Sequence, residues 1–420
     1  MFRGVNMINK EPPYTLSHIG FDGKDAELLA KNGINVVRVG VIYSAVEPAP
    51  GTYDDKYLED IRKTVDTLAL KGIMSLIDFH QDGWGPSFIC EGFPDWATMT
   101  GGHPIRPIGN FPELYKNKAV GTAFDNFWAN TPGPGNIGLQ DRYACAWQLA
   151  ASKLKDSPGI LGWELMNEPF PGTDILKPPT EQLTAFTQKM VNAIRQVDVD
   201  HIIWYEPWVS FDMGFPTKIG AINDPGPVRR IGMAFHNYEP IDKYDVVWKN
   251  AISHSNATGD ALLVTEFGAN DTAPPIVQEM NSIDQWTMPA IYWAYSNRTP
   301  YQIAKIDGQP VSSINQGLVY DPALPLEPPN VCVDKFDALV RPYPMVIAGI
   351  PVCWSFDPTG KVFNLQYTQG AARYTEIFVP LRQYTNGYKV SVVGGTEVHY
   401  DQRVVVEANA GTTQVTIMPL

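Results

Sequence analysis

Eight short, nearly continuous apolar runs recur along the first three hundred residues, at 2–6, 35–40, 73–79, 160–166, 201–206, 231–235, 262–266 and 290–295. Runs of this length without alternation belong to parallel strands covered on both faces. Between them, stretches such as 25–33 and 57–72 repeat apolar residues at helical spacing and close on Gly33 and Gly72. Eight strand-helix repeats predict an α/β fold of (β/α)8 TIM-barrel class. Near Pro342 helical spacing stops, and 376–380, 388–393, 403–407 and 413–417 alternate faces, parted by Asn386-Gly387, Gly394-Gly395 and Asn409-Ala410-Gly411. That pattern predicts a small C-terminal antiparallel β-sandwich. The expected division is a catalytic barrel over 1–342 and a sandwich over 343–420. The sandwich is expected to pack against the barrel, with sugar or lipid binding as the minority alternative.

About 80 residues separate the third and fourth runs, far more than a barrel loop needs. An insertion at about 83–135 carries Trp84, Phe88, Phe93, Trp96, Phe111, Tyr115, Phe124, Phe127 and Trp128. Two readings stand open: the rings pack the insertion onto the barrel, or they form an apolar shelf beside its mouth for a greasy ligand.

Charge narrows the function. With a net charge of −13, the chain lacks the basic footprint needed to bind nucleic acid or an anionic bilayer by charge alone. Hydrophobic residues make up 44% and charged residues 18%, which excludes a disordered chain. No run reaches the ~20 apolar residues of a membrane-spanning helix. Cys90, Cys145, Cys332 and Cys353 have no CxxC spacing, are compatible with one or two disulfides or none, and make a structural zinc improbable. No cofactor or metal is expected, since His80 and His236 sit on different strands without an HExxH pattern.

Reactive groups of such a barrel belong at the C-terminal ends of its strands. There stand Asp78-Phe79-His80-Gln81-Asp82, Trp163-Glu164-Leu165-Met166-Asn167-Glu168-Pro169, His236-Asn237-Tyr238, Thr265-Glu266-Phe267-Gly268 and Tyr292-Trp293. Glu168 and Glu266, at the tips of strands four and seven, face each other across the mouth as glycoside hydrolysis requires. Two carboxylates this close raise the pKa of one, and spacing alone does not say which. Glu164 and Asp78 lie just below the mouth and read as a structural network with Arg38; Glu206 either contacts sugar or closes a turn.

Asn167-Glu168-Pro169, together with Glu266-Phe267-Gly268, resembles the retaining (β/α)8 glycoside hydrolases of family 5. The resemblance implies Glu168 as acid/base and Glu266 as nucleophile, Asn167 on the substrate 2-hydroxyl, and Arg38 and Tyr238 holding the nucleophile. It also implies that His80 and His236 line the glycone subsite with Tyr238, and that Trp293 is the stacking platform. The stretches Asp78 to Trp84 and Asn167 to Gly172 are similar to those of endoglycoceramidases, which cut between the first sugar and the ceramide of glycosphingolipids. In that group Asp82 would bond the first sugar, with Lys10 a weaker candidate for the same slot.

A cellulase-like or mannanase-like endo-β-glycanase shares every one of these residues and stands as the alternative; a non-catalytic binding barrel is disfavoured by the paired acids. The expected partner is a glycosphingolipid met at a micelle or membrane surface by a monomer, and the expected location is outside the cell, with a leader removed before Met1.

Overall fold

The computed structural model describes residues 1–106, 116–175, 180–296, 316–370, 372–409 and 411–420. Eight parallel strands close in chain order into a barrel: β1 (Arg3–Met7), β2 (Val36–Ile42), β3 (Met74–His80), β4 (Ile160–Glu164), β5 (Ile202–Tyr205), β6 (Ile231–Asn237), β7 (Ala261–Phe267) and β8 (Ala290–Tyr292), with β8 pairing back onto β1. Each predicted run lands on one of them. The crossovers carry α1 (Gly23–Lys31), α2 (Tyr43–Val46), α3 (Asp55–Ala69), α4 (Lys118–Trp128), α5 (Leu139–Leu154), α6 (Thr180–Ile194), α7 (Tyr244–Thr258) and α8 (Ala273–Gln285), and α9 (Val333–Leu339) follows β8. Asp54 caps α3 by accepting from the Lys56 and Tyr57 amides. Its buried Tyr57, Leu58, Ile61, Val65 and Leu68 recur at helical spacing on the side facing the barrel.

Inside the barrel, Val36, Leu76, Leu161, Trp204, Ala234, Leu263 and Ile291 form one apolar cluster. The Trp204 indole fills it because Gly162 and Gly232 leave room: a Cβ on either would meet the ring, at 2.9 and 2.4 Å. One pleat period further along, on the same face, the chain places Arg38 after Val36, Asp78 after Leu76, Glu206 after Trp204 and His236 after Ala234. The barrel interior therefore changes from hydrocarbon to charge within two residues, and that second layer is the floor of the mouth.

Where the insertion is described, its rings favour packing. Trp84, Phe88, Phe93, Phe124, Phe127 and Trp128 are all buried. Trp84 stacks on Phe93 at 4.2 Å between centroids, and the Trp128 indole donates to the Phe170 carbonyl. Trp96 is half-buried and donates to the Glu47 carbonyl. Phe111 and Tyr115 lie outside the described residues. The described rings form an aromatic core on the barrel flank, so the shelf reading is not carried by them: a tightly stacked ring gains more against protein than it would facing water.

Two antiparallel four-stranded sheets follow. One runs β10 (Gly349–Asp357), β11 (Val362–Gln369), β16 (Thr412–Pro419), β13 (Tyr388–Val393); the other runs β14 (Gly395–Tyr400), β15 (Arg403–Ala408), β12 (Tyr374–Phe378), β9 (Tyr343–Val346). They dock on the end of the barrel opposite the mouth. Arg3, at the start of β1, reaches Asp284 at 2.6 Å and lies over the Trp354 ring; Arg341 bonds the same Asp284, and the Tyr343 hydroxyl donates to the Gly33 carbonyl. All four cysteines are free.

Trp84→Ala is expected to lower the unfolding free energy by about 3–5 kcal/mol, because it empties the centre of the insertion core. Urea denaturation measures this; a loss under about 1 kcal/mol would mean that the ring is not packed as described.

Candidate active site

The mouth is organised by one guanidinium. Arg38, fully buried on β2, donates from Nε to Glu164 at 2.6 Å, from Nη1 to Glu266 at 2.6 Å and Asn6 at 3.1 Å, and from Nη2 to Asn167 at 2.8 Å and Glu206 at 3.1 Å. Asp78 completes the set at 3.1 Å from Nη2. The structural network expected for Glu164 and Asp78 is thus present, and Glu206 belongs to it as well. Rather than closing a turn, Glu206 accepts the Glu168 amide at 3.0 Å. Burial works against the Glu206 charge, but His236 and Arg38 outweigh it and take its pKa down to about 2.

Glu168 follows β4 with φ at +41°, in the left-handed region. Pro169 bars the right-handed helical conformation at this position. The strained turn is pinned by Gln81, whose side-chain amide donates to the Asn167 carbonyl at 2.9 Å and the Glu168 carbonyl at 3.0 Å. His236 Nδ1 stands 3.0 Å from Glu168 Oε1 and 3.7 Å from Glu266 Oε2, so one imidazole nitrogen faces both acids. Burial first, and then the Glu266 and Asp82 carboxylates, raise the pKa of Glu168 against the pull of His236. Tyr238, 38% exposed at the rim, donates to Glu266 Oε2 at 2.7 Å. Glu168 can therefore supply a proton, while Glu266, held by Arg38 and Tyr238, can supply an electron pair.

A second charged group lies on the β1 and β3 side. Lys10 pairs with Asp82 and, at 2.9 Å, with Glu91; His80 Nδ1 donates to Asp78 at 2.7 Å. The Trp293 ring stacks on His80 at 5.7 Å and lies 4.9 Å from the Lys10 ammonium, while its indole N–H donates to Gln316 at 2.9 Å. The structure thus brings all the sequence-predicted residues, Lys10, Arg38, His80, Asp82, Asn167, Glu168, His236, Tyr238, Glu266 and Trp293, into one mouth.

Glu91, Asp212, Gln316 and Asn6 join them without having been singled out. Asn6 had a signal, a polar residue inside an apolar run. Glu91 sits in the insertion, and Asp212 in the 3-10 segment Val209–Met213 after β5, 3.8 Å from His236; neither spacing nor neighbours mark them. Three groups could share a metal ion among the described residues: His80, Asp82 and Glu91; Glu164, Glu206 and His236; Glu168, Asp212 and His236. The first two already surround the cations Lys10 and Arg38, and His236 supplies the positive charge of the third.

His80 yields a pH prediction. Burial opposes its charge, but Asp78 outweighs burial and its pKa stands at about 9, above the roughly 6.5 of an unfolded histidine. A raised value stabilises the fold fully below pH 6.5 and is lost as pH climbs through 9. Urea-derived stability is expected to fall across that window relative to His80→Gln; parallel curves for the two proteins would contradict the assignment.

Comparison with known proteins places this geometry. The family model for cellulase (glycosyl hydrolase family 5) matches residues 22–299, and that for the glycoside hydrolase family 5 C-terminal domain matches 341–418. Endoglycoceramidase I of Rhodococcus hoagii is 27% identical over 99% of this chain and 84% of its own, and the endoglycoceramidase of Cyanea nozakii is 28% identical over 98% and 88%. The structure of endo-glycoceramidase II from Rhodococcus sp. as a ganglioside GM3 complex superposes with a TM-score of 0.81 at 26% identity, covering 100% of this chain and 97% of that one. Its lactosyl-enzyme intermediate gives 0.80 at 28%, with the same coverage. With a paired acid site at the mouth of an eight-stranded barrel and a family match over both its parts, the chain belongs to glycosyl hydrolase family 5 and is a glycosidase.

Proposed function

We propose that this glycosidase is a retaining endoglycoceramidase, which hydrolyses the β-glycosidic bond between the oligosaccharide and the ceramide of glycosphingolipids. The observation that carries the reading is the two-sidedness of the mouth. On the glycone side stand Lys10, Asp82, His80 and the Trp293 ring. On the other side, next to the proton donor, the segment holding Asp212 runs directly into Met213 and Phe215, which are 58% and 61% exposed. Val246, exposed in the first turn of α7, lies against Gly214 and extends the apolar surface, and Ile241 is exposed on the loop after β6. The leaving group departs beside the residue that protonates it, so an apolar surface there suits ceramide chains. The likeness to endoglycoceramidases along the chain supports the same substrate.

In this mechanism Glu266 attacks C1 of the first sugar as Glu168 gives its proton to the glycosidic oxygen, releasing ceramide and leaving a glycosyl ester on Glu266. Water then enters, Glu168 takes its proton, the ester bond breaks and Glu266 is regenerated. Both carboxylates approach one His236 nitrogen, at 3.0 and 3.7 Å, an arrangement that suits double displacement. Arg38 and Tyr238 orient the nucleophile throughout, and Asn167 is assigned to the 2-hydroxyl. The enzyme works outside the cell, as a monomer that meets lipid through the Met213 and Phe215 surface. A cellulase-like or mannanase-like groove would be lined by exposed tryptophan and tyrosine rings along its length; among the described residues no tryptophan is exposed, while Tyr238 is 38% exposed at the rim.

Incubation with a ganglioside in mild detergent is expected to yield intact oligosaccharide and free ceramide, with Glu266→Gln slower by at least about 10^4-fold. Cleavage of cellohexaose with untouched ganglioside would refute the substrate assignment. Added methanol is expected to give the β-methyl glycoside by NMR; the α-anomer would refute retention. Phe215→Asp is expected to lower kcat/KM on ganglioside about tenfold, a typical price for losing one buried aromatic contact, and to leave a soluble aryl lactoside within about twofold. Equal loss on both would remove Phe215 from the lipid side.

A further inference from the structure

We propose that Glu91 is a specificity-determining residue of this active site, accepting a hydrogen bond from one hydroxyl of the sugar held beside Trp293 while His80 Nε2 donates to the same oxygen. The inference rests on the glycosidase reading of the mouth and extends it to a residue that the insertion supplies. Chain geometry brings Glu91 there. The 83–93 excursion leaves the end of β3 and returns, so that the Asp82 amide donates to the Glu91 carbonyl at 3.0 Å and the Phe93 amide to the Trp84 carbonyl at 2.6 Å. Gly92 is required at the return, because a Cβ there would meet the Gln81 Cβ at 2.4 Å and the Trp84 carbonyl at 2.5 Å.

A structural ion pair alone does not account for the arrangement. Lys10 already has Asp82, and Glu91 is a second carboxylate on the same ammonium, 2% exposed. Its Oε1 is within ion-pair distance of Lys10, yet it accepts no hydrogen bond, and His80 Nε2 makes none either. Buried polar atoms without hydrogen bonds are costly and rare. These two stand 4.0 Å apart, with Asp82 Oδ2 3.6 Å from Nε2, and a hydroxyl oxygen entering between them would accept from the imidazolium and donate to the carboxylate. Charge agrees with this. His80 is a cation because Asp78 outweighs its burial, so Nε2 carries a proton to give. Burial, followed by Asp82, lifts the Glu91 pKa to about 7 against the pull of Lys10, so a hydroxyl that donates to the carboxylate adds to the one cation now facing it.

Sugar chemistry limits which hydroxyl this is. In a lactosyl unit the 4-oxygen of the first sugar carries the rest of the glycan, and Asn167 is assigned to the 2-hydroxyl. The 3- and 6-hydroxyls remain.

Steady-state kinetics on an aryl β-lactoside and its 3-deoxy and 6-deoxy derivatives in the first sugar test this, using wild type and Glu91→Gln. Wild type is expected to lose about 10- to 100-fold in kcat/KM on one of the two deoxy substrates. Glu91→Gln is expected to lose a similar factor on the parent, mainly through KM, and to match wild type on that same deoxy substrate. Equal losses by the variant on all three substrates, or unchanged kinetics, would overturn the proposal. So would a wild type indifferent to both deletions, a measurement that needs no variant to fold. A wild type that cleaves no lactoside and no ganglioside would instead overturn the glycosidase substrate reading and leave Glu91 without a role.

Discussion

Arg38 is the contact on which the upper half of this barrel depends. Its three nitrogens hold Asn6 of β1, Asp78 of β3, Glu164 of β4, Glu266 of β7, and Asn167 and Glu206 just beyond β4 and β5. Six groups from five strand ends therefore converge on one fork of donors whose geometry is rigid. Without that charge, four carboxylates would face one another out of water, and the barrel could not keep them. The apolar layer beneath, filled by Trp204, closes the barrel; the Arg38 layer gives it a reactive end. A lysine would supply the charge but only three donors on a flexible stem, which cannot span the same set.

The second property of the mouth is how protons are sorted within it. Burial raises Glu164 and Asp212 well above the usual carboxylate range and raises Glu168 with them. Glu206 and Asp82 go the other way although burial opposes it, because His236 and Arg38 face the first and Lys10 and His80 the second. His236 itself is driven upward, burial being outweighed by Glu206 and Glu266. A crowd of acids around few cations cannot all ionise, and the environment decides which keep their protons. Glu168, with His236 on one side and acids on the other, is among those shifted toward keeping theirs.

Much of this was legible in the sequence, for a physical reason. Parallel strands covered on both faces must be apolar along their length, so a polar residue such as Arg38 or Glu266 inside one stands out, and the chemistry reads directly from strand ends. The Asn167-Glu168-Pro169 turn is legible because the proline constrains its neighbour. Glu91 and Asp212 were not legible, because they reach the site through a loop return and a 3-10 segment, whose course depends on tertiary packing rather than on periodicity. The aromatic insertion was undecided for a different reason: nine rings in one segment can be a surface or a core, and composition is the same for both. Only the stacking of Trp84 on Phe93 decides between them.

That decision changes where selectivity lies. Since the described rings of the insertion face inward, what its described residues bring to the mouth is Glu91, a polar group beside Lys10 and Asp82. The apolar surface comes instead from the loop after β5, one residue past Asp212. Under the proposed function, the sugar and lipid ends of the substrate are read by different crossovers of the same barrel, the one after β3 and the one after β5, with the two glutamates between them. Loops of a (β/α)8 barrel vary without disturbing its core. Preference for the glycan and for the aglycone can therefore change independently, as long as Arg38 and its carboxylates keep the strand ends in place.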